Sequence, residues 1–575
     1  MPSMNPDSSI TKHGTRRRVL RSGLGLASAA ALGGCGIVST RLGGSRPAFE
    51  PVAVAATDKV VLPAGYGAIP LAAWGEPVGL AGAMPAWQPD AGNNAADQAL
   101  QIGTGHAGVQ YLALEGSRRG LLVLTHAATD DGLLHVRGTL GWSADKVKKA
   151  QAARGVSVVE VALDGGVWRQ VRPSKLARRV TATTPMAISG PAAGHRLLRT
   201  AADPAGRRVL GTLSTGAIAL TPWGTCLVAE TAGTECFATA DQPTAHERRW
   251  GLQRAPASRW HEHDERFDTV RHPSEPNRHG WVVEFDPTDP RSTPVKRTAI
   301  GRAAHAGVWT AVSRDGRAVV YAGGGARSEY LYKFVSRDRI KPSPRANADL
   351  LDQGTLYVAR FNADGSGRWL ALNHGQGPLG PAGGFVDAGD VLIKSRQAGD
   401  ALAATPIEAM HGLAIDTSSG WVYAALAIDA QRAKPGPVPL LRWRDEGDFA
   451  GERFSWNEWR GGETAARSPG AFGLDGGGRL WLGASNEHLL ASDTAGGEPR
   501  RFLCGPAPCA LAGLSWTPDG RTMFVNVQHP GRASLGASDS TAPRKLSNWP
   551  DFKPDGRPRS ATLAIRRDDG GLIGG

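Results

Sequence analysis

Hydrophobic and polar residues alternate along most of this chain, in short runs that begin at glycine-containing turns. One unit recurs: a turn with Gly, then Arg or Trp, then alternating apolar residues. Its copies are DPAGRRVLGTL (203–213), SRDGRAVVYAG (313–323), NADGSGRWLAL (362–372), TSSGWVYAALA (417–427), DGGGRLWLGAS (475–485) and TPDGRTMFVNVQ (517–528). Asp-Gly and Gly-Gly turns between alternating runs are a strong hairpin signal. The pattern therefore predicts a chain built of antiparallel hairpins.

The spacing of the units indicates a repeat architecture. The residues that follow the turns recur at intervals of roughly 40 to 60 residues, at Arg317, Arg368, Trp421, Arg479 and Arg521. Four short strands fit into such an interval, which is typical of a propeller blade. We therefore predict an all-β propeller with six blades. A pair of β-sandwiches also produces spaced hairpins, and the uneven spacing leaves that alternative open.

Helical periodicity is scarce. The segments at 93–101 and 146–153 predict short helices. The segment at 557–565 predicts a late strand that pairs with an early one and closes the ring. Closure of this kind removes exposed sheet edges, which otherwise invite association.

The N-terminus has the pattern of an export signal. Basic residues at 16–18 and 21 are followed by a short, weakly apolar run at 23–34. The paired arginines resemble a twin-arginine (Tat) signal, and an ordinary secretory signal with extra arginines is the alternative. Leu32-Gly33-Gly34-Cys35 resembles a lipobox, so Cys35 is a candidate for lipidation, with cleavage and no lipid as the alternative. The predicted organisation is a signal at 1–35, a linker at 36–57 and the propeller at 58–575.

Four more cysteines lie in the body of the chain. In an exported protein an even number suggests disulfides, and the local pairings are Cys226 with Cys236 and Cys504 with Cys509. Four cysteines allow three pairings, so the connectivity stays open. Neither spacing is a zinc signature.

Composition narrows the classes of partner. The formal net charge is +13, and the hydrophobic content of 41% allows a large core. The arginines are scattered, without the basic helix or basic–aromatic alternation of nucleic-acid modules. We therefore expect no nucleic-acid partner. A small anionic ligand or an envelope partner is expected instead, besides the Tat export machinery, and a monomer is expected.

Several long blocks of the chain, in order, carry a family resemblance. They lie at 189–213, 221–225, 280–302, 329–336, 350–365, 517–531 and 547–571. These blocks resemble the PhoX family of secreted alkaline phosphatases, and the likeness runs from about residue 60 to the C-terminus. The resemblance implies a β-propeller that hydrolyses phosphomonoesters. It also implies iron and calcium near the propeller axis, held by carboxylates and a cysteine.

The chain departs from the family pattern where glutamates are expected. Four such positions carry small residues: Ala127 after His126, Thr231 after Glu230, Ala306 after His305 and Ala510 after Cys509. Glu230 is retained and is the inherited candidate ligand.

Other expected ligand positions are also changed. Gly216 stands where the resemblance places a cysteine, and Gly324-Gly325 stand where it places two aspartates. The segment at 409–412 replaces an Arg-Pro-Glu-Asp block with Ala-Met-His-Gly. Gly470 and Ser485 stand where acids are expected. Crowded carboxylates repel unless cations compensate them, so the loss of the cations favours the loss of the acids.

Three hypotheses of function follow. The first is an exported propeller without the iron–calcium phosphatase site, which binds a ligand or an envelope partner and needs no cofactor. The alternative is an active phosphatase with a rebuilt iron and calcium site. The third is a single zinc or copper ion held by His126, His305, His411 and Glu230, because imidazole and carboxylate suit these metals. Against the third stands the plain interpretation that these histidines are packed or hydrogen-bonded core residues.

Overall fold

The structure, a computed structural model, describes residues 46–426, 440–459, 470–484, 487–532 and 538–575. The signal segment, Cys35 and Ser485 lie outside these residues, so the predictions made for them stay predictions. None of the helices in these ranges is long and apolar enough to cross a membrane.

Antiparallel strands form most of the molecule. In chain order the strands are β1 (Tyr66–Leu71), β2 (His106–Glu115), β3 (Arg119–His126), β4 (Gly155–Asp164), β5 (Val167–Gln170), β6 (Arg178–Val180), β7 (Pro185–Ser189), β8 (Arg208–Leu210), β9 (Thr215–Leu220), β10 (Cys226–Glu230), β11 (Val282–Phe285), β12 (Val295–Arg297), β13 (His305–Val312), β14 (Arg317–Gly324), β15 (Leu331–Arg339), β16 (Gly354–Phe361), β17 (Ser366–Ala371), β18 (Met410–Asp416), β19 (Trp421–Leu426), β20 (Leu440–Asp445), β21 (Arg453–Trp459), β22 (Phe472–Leu474), β23 (Arg479–Ala484), β24 (His488–Asp493), β25 (Arg500–Cys504), β26 (Leu511–Trp516), β27 (Thr522–Val527) and β28 (Ala561–Arg567).

Short helices are inserted between the strands. They are α1 (Ala95–Gln98), α2 (Asp131–Leu134), α3 (Ala144–Ala153), α4 (Ala245–Trp250), α5 (Ala388–Ile393) and α6 (Ser395–Ala401). The two helices predicted from the sequence are α1 and α3. Asn94 and Ser143 cap them through side chains that accept backbone N–H groups of the first turn.

The strands pair in chain order as meanders. The sheets are β2-β3-β4-β5 with β6 beside β4, β9 to β12 extended by β7 and β8, β13 to β21, β22 to β25, and β26-β27-β28-β1. Because β17 pairs with β21, two meanders merge into one nine-stranded sheet. The number of blades therefore cannot be taken from the number of sheets, and six blades stay a prediction.

The first strands of the meanders surround one axis. β2 contacts β9, β9 contacts β13, β13 contacts β18, β18 contacts β22, β22 contacts β26, and β26 returns to β2. A closed circuit of this kind is the arrangement of a propeller, and a pair of sandwiches lacks it. The prediction of an all-β propeller is confirmed.

Side chains on β3 and β13 bond to the first strand β9 across the circuit. The hydroxyl of Thr125 donates to the carbonyl of Gly216 at 2.6 Å and accepts the N–H of Gly108 at 2.7 Å. Thr310 donates to the carbonyl of Leu220 at 3.0 Å. These bonds satisfy inner-strand backbone groups that have no ladder partner, and they fix the strands around the axis.

The recurring turn unit marks hairpins, as predicted, but not always the same hairpin of a meander. The units at 313–323, 417–427, 475–485 and 517–528 join a first strand to a second one. The unit at 362–372 instead joins β16 to β17, at the outer side of the sheet that begins with β13. Treating Arg368 as equivalent to Arg317 was therefore wrong, because every tight turn of a meander uses the same glycine chemistry.

The C-terminus closes the ring as predicted. β28 pairs with β1, with Leu71 opposite Thr562 and Tyr66 opposite Arg567. The strand begins at residue 561, later than the predicted 557. The last sheet thus combines strands from both ends of the chain, and the pairing of β1 with β28 covers one edge of each of these two strands.

Part of the predicted linker packs against the body. Phe49 is buried, and its ring meets that of Phe502 edge to face at 5.0 Å. The N–H of Val52 donates to the carbonyl of Arg501 at 2.9 Å. The segment from Arg46 onward therefore contributes to the core beside β25.

The predicted disulfides do not form. Among the described residues, the four cysteines are buried thiols without a disulfide. Cys236 lies beside the guanidinium of Arg154, and Cys504 lies 3.5 Å from the carbonyl oxygen of Ala53. Each thiol is used in packing, which is the common role of a buried cysteine.

Candidate functional site

An open cavity lies on the axis, between the first strands. It contains about 900 Å³ of empty space, its open mouth included. The described residues that line it are Ala107, Gly108, Val109, Gln110, Ala127, Thr215, Gly216, Ala217, Ile218, Thr231, Ala306, Val308, Trp309, His411, Gly412, Leu413, Gly470, Phe472, Ala512, Gly513, Leu514 and Gln528. We call it the axial cavity.

The substituted positions found in the sequence converge on this cavity. Seven of them line it, although they come from distant parts of the chain: Ala127, Gly216, Thr231, Ala306, His411, Gly412 and Gly470. They lie in or beside five different first hairpins, which the circuit of strands brings together. The tertiary structure therefore makes one site of changes that are scattered in the sequence.

The wall of the axial cavity is uncharged. Among the described lining residues there is no Asp, Glu, Lys, Arg or Cys. Calcium takes six to eight oxygen ligands, and a bound phosphate dianion needs compensating cations. The residue types present do not fit the iron and calcium that the family resemblance implies. Within the described part of the chain, no three His, Cys, Asp or Glu residues are grouped in a way that could hold a metal.

Neighbouring side chains fill the space beside the glycines that stand for the two aspartates. A Cβ added at Gly324 would overlap the side chain of Glu329, and one at Gly325 would lie 2.6 Å from the Cβ of Ala306. A Cβ at Gly323 would overlap the Cε of Met410. An aspartate at 324 or 325 therefore requires its neighbours to move, so these glycines are part of a packed arrangement.

Glu329 is a buried carboxylate with a complete set of partners. Its Oε1 accepts the N–H of Ala304 at 3.0 Å and lies 3.1 Å from the Nε of Arg396. Its Oε2 accepts from the N–H of Tyr330 at 3.1 Å and the hydroxyl of Tyr332 at 3.2 Å. A buried charge held in this way stabilises the loop after β14 and leaves little capacity for a metal ion.

Glu230 faces away from the axial cavity. Its carboxylate pairs with the ammonium of Lys296 at 2.7 Å and accepts the N–H groups of Gly280 and Trp281 at 3.0 and 3.1 Å. Burial by itself would raise the pKa of Glu230, but Lys296 and His279 outweigh burial and lower it to about 2. The retained glutamate is therefore an ion-paired core residue, and Thr231 beside it lines the cavity.

Two of the predicted histidines also lie away from the axial cavity. Successive residues of a strand point to opposite faces, so Ala127 and Ala306 face the axis while His126 and His305 point into the sheets. His126 bonds the hydroxyl of Ser157 at 2.7 Å, and His305 bonds the carbonyl of Gly301 at 3.0 Å. Burial lowers the pKa of both imidazoles.

His411 is the one predicted site residue among these four that lines the axial cavity. Burial lowers its pKa, which favours the neutral imidazole. The structure does not assemble His126, Glu230, His305 and His411 into a metal-binding group. The zinc or copper hypothesis therefore has no geometric support.

Sequence reasoning missed the residues that give the cavity its chemistry. Trp309 and Phe472 supply aromatic surface, and Gln110, Gln528 and Thr231 supply amide and hydroxyl groups. Trp309 lies at the fifth position of β13, within an alternating run, and the alternation alone does not tell the axis from the sheet interior. The one signal in the sequence was that the polar Gln528 directly follows the strand TMFVNV (522–527).

Comparison with known proteins decides the family. The family described as Alkaline phosphatase PhoX matches residues 47–463 and 459–531. The chain belongs to the PhoX family. A solved structure, Pseudomonas fluorescens PhoX in complex with vanadate, a transition state analogue, shares 38% identity with a TM-score of 0.85. That match covers 92% of this chain and 99% of the other.

More distant matches add nothing on function. A protein of unknown function from Dyadobacter fermentans has a TM-score of 0.37 at 10% identity, covering 81% of this chain and 97% of the other. A gluconolactonase from Xanthomonas campestris has a TM-score of 0.27 at 11% identity, with 81% and 96% covered. No curated protein sequence matches the chain. The chain is thus an alkaline phosphatase-like protein by family.

Proposed function

We propose that this PhoX-family protein lacks the iron–calcium phosphatase centre and acts as an exported binding protein. One observation carries the proposal: six positions that the resemblance assigns to acids (127, 231, 306, 411, 412 and 470) line one cavity whose described wall is uncharged. A phosphate monoester dianion would enter this cavity without compensating cations. Burying an uncompensated charge is strongly unfavourable.

The packing beside the cavity supports the same proposal. Glu329, Ala306 and Met410 occupy the space next to Gly323, Gly324 and Gly325. Random loss of single ligands would leave gaps lined by the remaining acids. Here the neighbours have filled the space, so a return to the acidic set would need several concerted changes.

Elemental analysis and a phosphatase assay test the proposal together. The purified full-length protein is analysed for iron and calcium by mass spectrometry and assayed with phenyl phosphate, with and without both ions added. Pseudomonas fluorescens PhoX, treated in the same way, is the positive control. We expect no stoichiometric metal and no turnover above the buffer rate. Stoichiometric iron and calcium with turnover would establish the alternative, an active phosphatase with a rebuilt site.

Export is part of the proposal and has its own test. Replacing Arg16 and Arg17 together by lysine should retain the protein in the cytoplasm, because the Tat pathway reads the arginine pair. Replacing Cys35 by alanine should abolish incorporation of labelled fatty acid if this cysteine is acylated. Incorporation into the unchanged protein supports a lipid anchor, and its absence supports cleavage without lipid.

A further inference from the structure

The axial cavity combines aromatic surface with hydrogen-bonding groups. Trp309 is half-buried on β13, and Phe472 begins β22, which β18 separates from β13 in the circuit. Trp309, which carries an indole N–H, and Gln528, which carries a side-chain amide, both line the cavity. Binding pockets are typically apolar with a few polar groups that fix orientation.

Further polar groups lie around the same space. The Nε2 of Gln110 donates to the carbonyl of Ile218 at 3.2 Å, which fixes the amide while its carbonyl oxygen keeps acceptor capacity. Thr231, which follows β10, places a hydroxyl on the wall. Amide and hydroxyl groups of this kind both donate and accept, so they match hydroxyl groups of a ligand.

The uncharged wall favours an uncharged ligand. The described lining residues include neither an acid nor an arginine or lysine, and burial favours the neutral form of His411. A cation or an anion entering the cavity would lose hydration without gaining an ionic partner there. An uncharged molecule pays no such cost, and its apolar face gains contact with the aromatic rings.

We propose that the axial cavity binds an uncharged small molecule that presents an apolar ring face to Trp309 and hydroxyl groups to Gln528 and Thr231. This inference rests on the proposed loss of the phosphatase centre and names the ligand class of the same cavity. It replaces the small anionic ligand expected from the net charge, because the surface arginines do not line the cavity.

Two probes with the same phenyl ring but different charge test the inference. Phenyl β-D-glucoside is uncharged and carries hydroxyl groups, and phenyl phosphate is a dianion. Binding to the full-length protein is measured by calorimetry without added metal, at ligand concentrations up to about 10 mM. We expect the glucoside to bind at least about tenfold more tightly than the phosphate.

Variants locate the binding. Trp309→Ala and Gln528→Leu should each weaken binding of the glucoside about tenfold, through lost ring contact and lost hydrogen bonds. Trp309→Phe keeps a ring and should retain most of the affinity, which guards against a variant that fails to fold. The control is Trp421→Ala, because this half-buried tryptophan lies under Arg442 and outside the cavity wall.

The outcomes separate this inference from the proposed function. Equal or tighter binding of phenyl phosphate, or no binding of the glucoside, overturns the uncharged ligand and leaves the loss of the phosphatase centre standing. Turnover of phenyl phosphate after addition of iron and calcium overturns the proposed function itself. Unchanged binding in both the Trp309 and Gln528 variants also overturns the inference, because the ligand would then lie elsewhere.

Discussion

The side chain of Glu329 occupies the space that a side chain at Gly324 would need. An ideal Cβ at Gly324 would overlap the Cγ of Glu329, which is fully buried beside Arg396. Gly324 ends β14, at a position where the family resemblance places an aspartate, and Glu329 lies in the loop that follows. The glycine and the glutamate therefore depend on each other.

We expect Gly324→Asp to lower the free energy of unfolding by about 3 kcal/mol or more. The new side chain has no space, and it brings a second carboxylate next to a buried one. Urea denaturation measures the loss. The control is Gly380→Asp, at a position where a Cβ meets open space, and it should change stability by less than about 0.5 kcal/mol. Equal stability of the two variants would contradict the packed arrangement.

Removing one partner of the buried pair formed by Lys296 and Glu230 should be costly. We expect Lys296→Met to lower the free energy of unfolding by about 3–5 kcal/mol, because the carboxylate of Glu230 would remain buried without its cation. The double variant Lys296→Met/Glu230→Gln should recover part of the loss. If Glu230 instead held a metal, adding iron or calcium would stabilise the unchanged protein, which thermal unfolding would detect.

Acid should weaken the fold through Glu230. Its folded-state pKa of about 2 lies below the ordinary value of 4.5, so between these values the unfolded chain binds more protons. The stabilisation is present above about pH 5 and is lost as the pH falls toward 2, by roughly 3 kcal/mol in total. Glu230→Gln should flatten this part of the stability–pH curve. A curve of unchanged slope would contradict the assignment.

The buried histidines should make the stability of the fold depend on pH over a higher range than Glu230 does. Burial lowers the pKa of His106 to about 3 and that of its neighbour His126 well below 6.5. Their rings meet edge to face at 4.8 Å. The unfolded chain takes up these protons first, so stability should decline as the pH falls from about 6.5 toward 3. His106→Gln should reduce the slope in this window, measured by urea unfolding at pH 7, 5.5 and 4.

The cysteines should be thiols that react slowly in the native protein. Burial raises the pKa of Cys236 to about 12, although Arg154 opposes the effect, and burial raises that of Cys509 as well. Thiolate is the reactive form, so alkylation should be slow until the chain is unfolded. After denaturation without reductant, iodoacetamide should label Cys226, Cys236, Cys504 and Cys509, as peptide mass spectrometry can show. A disulfide-linked peptide would contradict the structure.

The sequence by itself determined the fold and the positions of change. Alternating runs between glycine turns predicted hairpins, and the late strand at 557–565 predicted ring closure, because turn chemistry and strand periodicity are local properties. The resemblance named Ala127, Gly216, Thr231 and Ala306 as substituted positions.

Only the tertiary structure decided which way each residue faces and what fills the vacated space. Neighbouring strand residues point to opposite sides, so His305 and Glu230 enter the sheets while Ala306 and Thr231 face the axis. The spacing of residues in the sequence does not reveal that Glu329 packs against Gly324. It also does not reveal that Trp309, Phe472 and Gln528 line one cavity. Each depends on packing between segments far apart in the chain, and that packing forms only when the ring closes.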